Sequence, residues 1–502
     1  MSAPVFVWLI LIPLLAAPLV YLGGRLADRT SHWPVAQALA LAALLVTWLP
    51  FARTVGEIGA SGRMGITLGS VSLCFDGISL LLSAVALGLG SMVVLFSGPY
   101  LSGQIGQEKY YAMLTAMIGV MVGLGCACDL FNLWIWFEAM AITSYLLVAF
   151  YRDLPESLEA GVKYLVQSAT GSVLVVLGIS LVLAQTGTLN LAEIRAAIRA
   201  LNQPSPLLLA AGGLFIIGFG VKAALVPLHT WLPDAHSQAP SGISAMLSGV
   251  VIEAGLIAML RALSALADVT LMWGPLLMGF GAVNMLVGNL MAFRQTQIKR
   301  LLAYSSLTHV GYMLVGLGVA VYAGQLDGAQ GGFFHLFNHG MMKGLAFLAA
   351  GALLYALHLA AGEHTPLTIS DLAGASRKYP LIALTFALAV FALGGIPPLS
   401  GFMSKWQIIV SGFETRNLVV VGLVVFAALN SVFSLAYYAP LVNVLYRWQP
   451  SPVVSRGRTA PLSLQLPLIG LAILILVAGL WPALANPLTS PAGTALLAAF
   501  GR

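Results

Sequence analysis

The segment Leu214-Phe-Ile-Ile-Gly-Phe-Gly-Val-Lys222-Ala-Ala-Leu-Val-Pro227-Leu-His229-Thr-Trp-Leu-Pro233-Asp234-Ala-His236-Ser-Gln-Ala-Pro240 begins as an apolar helix and cannot continue as one. Proline lacks a backbone donor and clashes with the preceding turn, so the break is expected at Pro227. Backbone groups freed at membrane depth are tolerated only where protein or a water-filled cavity covers them. Gly394-Gly-Ile-Pro397-Pro398-Leu-Ser400-Gly401-Phe-Met-Ser-Lys405 repeats the pattern. One kinked helix can be ordinary packing. Two breaks, each with a lysine within about two helical turns, point to function.

The surrounding chain is apolar. Of 502 residues, 59% are hydrophobic and 8% charged, against about 25% charged in soluble domains. Runs of about 20 apolar residues predict an all-α polytopic membrane protein of about fourteen spans: 4–23, 33–52, 76–98, 110–128, 130–150, 159–185, 206–236, 240–267, 272–293, 301–323, 330–359, 380–412, 416–447 and 463–485. The first span lacks a basic leader and a cleavage site, and so reads as a retained helix. No segment is long enough for a soluble domain. The gaps Arg53–Phe75 and Gly187–Ser205 read as loops, the second with a short helical pattern of Leu191, Ile194, Ile198 and Leu201.

The net charge of +6 does not indicate nucleic acid, because no basic cluster with interleaved aromatics occurs. Loops after odd-numbered spans carry Arg25, Arg29, Lys109, Arg152, Lys163, Arg294, Lys299, Arg300, Arg377, Lys378, Arg447, Arg456 and Arg458. The other face carries Arg53, Arg63, Arg195, Arg199, Arg261, Arg416 and Arg502. The positive-inside rule then puts both termini on the non-cytoplasmic side. Cys74, Cys126 and Cys128 are too few for the four thiolates of an iron–sulfur cluster, and no Gly-rich nucleotide fingerprint follows a strand. No cofactor is expected in this chain.

Five charges sit inside apolar spans: Glu138, Lys222, Glu253, Lys343 and Lys405. Each would cost at least about 2.5 kcal/mol at the bilayer centre if unpaired. Together that rivals the roughly 5–15 kcal/mol stability of an entire domain. They must pair or line a hydrated path. At about 6 Å and an effective dielectric near 20, Glu138 and Lys222 would attract by about 2.8 kcal/mol. Moving a proton against about 150 mV costs about 3.5 kcal/mol, so such a pair has the size of a switch. A static salt bridge fixing helix packing is the alternative.

His335, His339 and Lys343 follow at i, i+4 spacing on one stripe, as a proton relay would need. Zinc is disfavoured: a third ligand is not evident, and the Lys343 ammonium repels a cation. His309, among Tyr304, Ser305, Ser306, Thr308 and Tyr312, adds a hydroxyl-rich segment that could order water or be structurally satisfied. Glu253 could be a protonated core carboxyl or the step between Lys222 and the stripe. Lys405 would end the row, and His229 and Lys299 flank it.

Taken together, Asp129-Leu-Phe-Asn-Leu-Trp-Ile-Trp-Phe-Glu138, His229–Pro240, Lys299-Arg-Leu-Leu-Ala-Tyr-Ser-Ser-Leu-Thr-His309-Val-Gly-Tyr312 and Gly395–Lys405 resemble the antiporter-like membrane subunits of complex I. They are also similar to Mrp-type antiporter and membrane-bound hydrogenase subunits. The resemblance implies a three-helix segment at 1–109, five-helix inverted repeats at 110–267 and 268–447, and a loop with a last helix at 448–502. It maps Glu138, Lys222, Lys405, the His335, His339 and Lys343 row, and Lys299 onto a proton path. Many relatives have lysine where this chain has Glu253. The short end after the last span suggests a middle or inner place in a membrane arm.

The implied function is a proton-translocating subunit of a complex I-like NADH:quinone oxidoreductase in a bacterial plasma membrane. Flavin, iron–sulfur centres and quinone would then belong to partner subunits. A sodium/proton antiporter subunit is the second reading, which the Asp129–Glu138 segment favours. A scaffold that only holds a membrane arm together is the third. Copurifying redox subunits would separate the first two, and loss of pumping in Lys222→Met would exclude the last.

Overall fold

The computed structural model describes residues 4–27, 34–69, 71–201, 205–359, 362–447 and 449–502. Arg29 lies outside them. The first helices are α1 (Val7–Ala27) and α2 (Val35–Ser61), followed by strands β1 (Met64–Leu68) and β2 (Val71–Phe75). Next come α3 (Gly77–Tyr100), α4 (Gln107–Gly125), α5 (Leu130–Val148), α6 (Pro155–Thr186), the short α7 (Leu191–Arg199), α8 (Pro206–Lys222) and α9 (Trp231–Gln238). The second half contains α10 (Ser241–Ala265), α11 (Trp273–Phe293), α12 (Ile298–Ala323), α13 (Leu326–Leu357), α14 (Pro380–Gly394), α15 (Ser400–Glu414), α16 (Leu418–Arg447), α17 (Leu462–Leu480) and α18 (Asn486–Phe500).

Eleven of the described helices are long and apolar enough to cross a bilayer alone. The other expected spans fall on α4, on the pair α8 and α9, and on the pair α14 and α15.

The all-helical expectation has one exception, inside the stretch read as the loop Arg53–Phe75. β1 and β2 pair antiparallel, with Met64 opposite Phe75 and Leu68 opposite Val71. A Cys74–Cys128 disulfide ties this hairpin to the start of α5. Side-chain caps fix several helix starts, as first-turn amides require. Asp76 and Ser79 form a reciprocal capping box on α3. Asp129 accepts from Asn132 N at 2.6 Å to cap α5, the helix that carries Glu138.

In the short helix expected before Ser205, Ile194 and Ile198 are buried. Leu201 lies beyond its end and is exposed. α18 adds a helix past the last expected span. Its residue Pro491 comes so close to Gly77 that a β-carbon there would meet the Pro491 backbone at 2.0 Å.

α3, α10, α12 and α13 are the most enclosed of these spans; α10 is buried throughout. All five intramembrane charges except Glu138 are therefore in the interior: Lys222, Glu253, Lys343 and Lys405 are buried.

Candidate functional site

The first break begins earlier than the prolines suggest. α8 ends at Lys222 itself, and Ala224 adopts a positive φ of 53°. Two side chains from elsewhere satisfy the freed backbone. Asn284 in α11 donates to Ala224 O at 3.1 Å and accepts from Val226 N at 2.9 Å. Trp231 Nε1 donates to Val221 O at 2.8 Å.

The second break is served in the same way. Ser431 donates to Gly394 O at 3.0 Å and Asn338 to Ser400 O at 3.0 Å. Lys405 Nζ donates to Leu393 O at 2.8 Å. Irregular backbone persists here because the protein covers it.

At the end of α8, Lys222 Nζ donates to Ser144 Oγ at 3.3 Å and Ser168 Oγ at 3.2 Å. It lies 4.1 Å from the centre of the Tyr164 ring, which stacks on Trp231 at 3.9 Å. Cation–π contact and hydroxyls are the direct partners of the Lys222 ammonium. Among the described residues, Glu138 forms no ion pair with Lys222. Glu138 is only half-buried, yet its Oε1 is enclosed without a protein partner.

The centre of the molecule holds the densest cluster. Glu253 Oε1 and His339 Nδ1 are 2.8 Å apart. His309 Nδ1 and His335 Nε2 share a hydrogen bond of 3.0 Å, and His335 Nδ1 shares another of 2.9 Å with Ser404 Oγ. The His309 and His339 rings lie 5.2 Å apart. Tyr312 stands 5.5 Å from the His335 ring, and Lys405 Nζ is 4.7 Å from the Tyr312 ring. The expected stripe on α13 thus becomes an arc through α10, α12, α13 and α15.

Close backbone contact makes the arc possible. A β-carbon on Gly249 would meet Gly340 O at 2.9 Å, and one on Gly340 would meet Gly249 O at 2.9 Å. These glycines let α10 and α13 touch one turn from Glu253 and beside His339. A π-helical turn, Leu247–Val251, precedes Glu253. Such turns concentrate at functional sites.

Lys343 lies on the same face of α13, but it donates to Leu302 O at 2.7 Å and to Ser305 Oγ, away from the histidine arc. Lys299 Nζ donates to Ala239 O at 2.6 Å. His229 is half-buried, 6.2 Å from the Tyr304 ring, and outside the arc. No hydrogen bond among the described residues joins Lys222 to Glu253. Glu253 Oε2 and His339 Nε2 also have no protein partner. A buried polar atom left unsatisfied costs about 1–3 kcal/mol, so water is the natural bridge.

His236 was not singled out in the sequence as a site residue. It is wholly buried, stacks 4.6 Å from Phe347 and has no partner at either ring nitrogen. Ser144, Ser168, Tyr164, Asn284 and Asn338 were also missed. No group of three metal-binding side chains occurs among the described residues.

A multi-span helical protein with two mended breaks and a buried chain of titratable groups between them defines an antiporter-like membrane subunit. The chain belongs to the NADH:quinone oxidoreductase/Mrp antiporter transmembrane family, whose model matches residues 127–431, and it is an integral membrane protein. It is 33% identical over 424 residues to NADH-quinone oxidoreductase subunit N of Chloroflexus aggregans, covering 82% of this chain and 85% of that one. It is also 33% identical over 427 residues to F(420)H(2) dehydrogenase subunit N of Methanosarcina mazei, covering 83% of each. Its fold superposes on a chain of the archaeal membrane-bound sulfane sulfur reductase with a TM-score of 0.87 and 28% identity, covering 99% and 98%.

Proposed function

We propose that this protein is a proton-translocating membrane subunit of a complex I-like oxidoreductase, with protons moving along Glu138, Lys222, Glu253, His339, His309, His335 and Lys405. The observation that carries the reading is the buried run of contacts from Glu253 to Lys405. A proton on the Glu253–His339 pair can be held by either partner. His309 and His335 are joined directly by a hydrogen bond, while the His339–His309 step and the step past the Tyr312 ring to Lys405 are ring contacts that bridging water would have to complete. Lys343, Lys299 and His229 are flanking groups. Each repeat, 110–267 and 268–447, contributes one broken span.

The named relatives support a membrane-arm setting, since one is a subunit of an NADH-quinone oxidoreductase and the other of an F(420)H(2) dehydrogenase. Flavin, iron–sulfur and quinone chemistry would reside in partner subunits, and this chain would supply only the proton path.

The disulfide supports the orientation. Cys74 and Cys128 lie in connections on the face poorer in basic residues. Disulfides persist in oxidising compartments, which supports reading that face as the non-cytoplasmic one, as the distribution of lysine and arginine also suggests.

The test is the native assembly in proteoliposomes, with its subunits identified and acidification followed by a pH dye. Lys222→Met should assemble and lose most proton transport. Unimpaired transport would favour the scaffold, and an assembly without redox subunits that exchanges sodium would favour the antiporter.

A further inference from the structure

Resting on that proton path, a separate question is how protons reach the interior from the face rich in basic loops. Two cavities lie there in series. The outer one, about 740 Å³, is lined by Lys109, Arg152, Asp153, Leu158 and His364, among others. The inner one, about 30 Å³, reaches Tyr100, Gln238, Gln297 and the buried Lys299 and has room for a short file of water. Tyr151, Leu154 and His364 line both. The His364 ring meets Tyr151 edge-on at 5.4 Å, so this pair stands where the wide cavity narrows into the small one.

We infer that these cavities form the proton-uptake mouth of the basic face, with Tyr151 and His364 as its constriction and Lys299 at its inner end. The polar lining suits water: Tyr100 shares a hydrogen bond of 3.1 Å with Ser241, and Gln238 and Gln297 face the inner space. Lys299 lies at the bottom, held by its hydrogen bond to Ala239 O, where a proton can pass between its amine and water. His236, two residues before Gln238, is buried, stacks on Phe347 and keeps both ring nitrogens without a protein partner, and it continues the route inward.

The test is a reversible plug. His364→Cys in the native assembly is treated from the basic face with a bulky, membrane-impermeant methanethiosulfonate. The natural cysteines do not interfere, because Cys126 is buried and Cys74 is bonded to Cys128. Labelling should slow proton translocation about tenfold, a barrier increase of about 1.4 kcal/mol, and thiol reduction from the same face should restore it. Arg456→Cys, which lines neither cavity, should label without effect. If His364→Cys fails to assemble, Leu154→Cys takes its place.

Stoichiometric labelling with unchanged pumping overturns the mouth. Lys222→Met, measured in parallel, separates the two claims. If it is inactive while the plugged variant pumps, only the mouth is wrong. If it pumps normally, the proton path fails and the mouth fails with it.

Discussion

His339 Nδ1 lies 2.8 Å from Glu253 Oε1, and both side chains are wholly buried. Removing one partner of a buried hydrogen-bonded pair leaves the other unsatisfied and commonly costs about 1–3 kcal/mol. A neutral hydrogen-bonded replacement avoids that cost. His339→Leu is therefore expected to lower the yield and thermal stability of the assembly, whereas Glu253→Gln should assemble. Thermal unfolding of the purified complex compares the two. Equal stability would argue that the pair is not coupled.

The approach of α10 to α13 sets this contact. Gly249→Val would drive side-chain atoms into the Gly340 carbonyl and force the helices apart. The expected result is a complex that assembles poorly, or assembles with proton transport reduced more than electron transfer. Normal transport in Gly249→Val would show that Glu253 and His339 need not touch.

Asn284 mends the first break with two hydrogen bonds. Asn284→Leu leaves a buried carbonyl and amide without partners, a loss of about 1–3 kcal/mol for each. The measurement is the midpoint of thermal unfolding in detergent, which should fall by several degrees. An unchanged midpoint would mean that water replaces the amide without cost.

Outside the bilayer, Asp268 accepts from Arg195 and Arg199, each at 2.9 Å, and Arg195 also holds Ala498 O and Ala499 O at the end of α18. Partial burial would raise the Asp268 pKa, but the two guanidinium groups overcome this and hold it below the usual carboxylate range. A depressed folded value means that the stabilisation is complete above the unfolded pKa, near about 3.9, and disappears as pH falls through the folded one. Hydrogen exchange in α18 should rise below about pH 4 in the wild type. Asp268→Asn should show faster exchange already at neutral pH. The effect is modest, about 1 kcal/mol or less, because the pair is partly exposed.

Much of the design was legible because membranes penalise exceptions. Pro227, Pro397 and Pro398 marked the two broken spans, and charges stranded in apolar runs marked the interior row. What stayed hidden were partners distant in sequence. Nothing local to Ser144, Ser168 or Asn284 distinguishes them from ordinary polar residues on lipid-length helices, and their importance comes from Lys222 and Ala224, far along the chain. The sequence pointed to Glu138 as the charge facing Lys222, but not to the hydroxyls of Ser144 and Ser168 and the Tyr164 ring, which are its direct contacts.

The β hairpin did have a signal, the alternation of Met64, Ile66 and Leu68 and of Val71, Leu73 and Phe75 around Gly69, but its strands are too short to stand out as long apolar runs. The disulfide had none, since its cysteines are 54 residues apart.

The central claim is that the buried arc carries protons. The most direct measurement is the number of protons translocated per electron by the native assembly carrying Glu253→Gln, which keeps the shape and one hydrogen bond but cannot titrate. The expected result is a lower ratio in a fully assembled, electron-transferring complex. A ratio equal to that of the wild type would contradict the role assigned to Glu253 and, with it, the relay from Lys222 to Lys405.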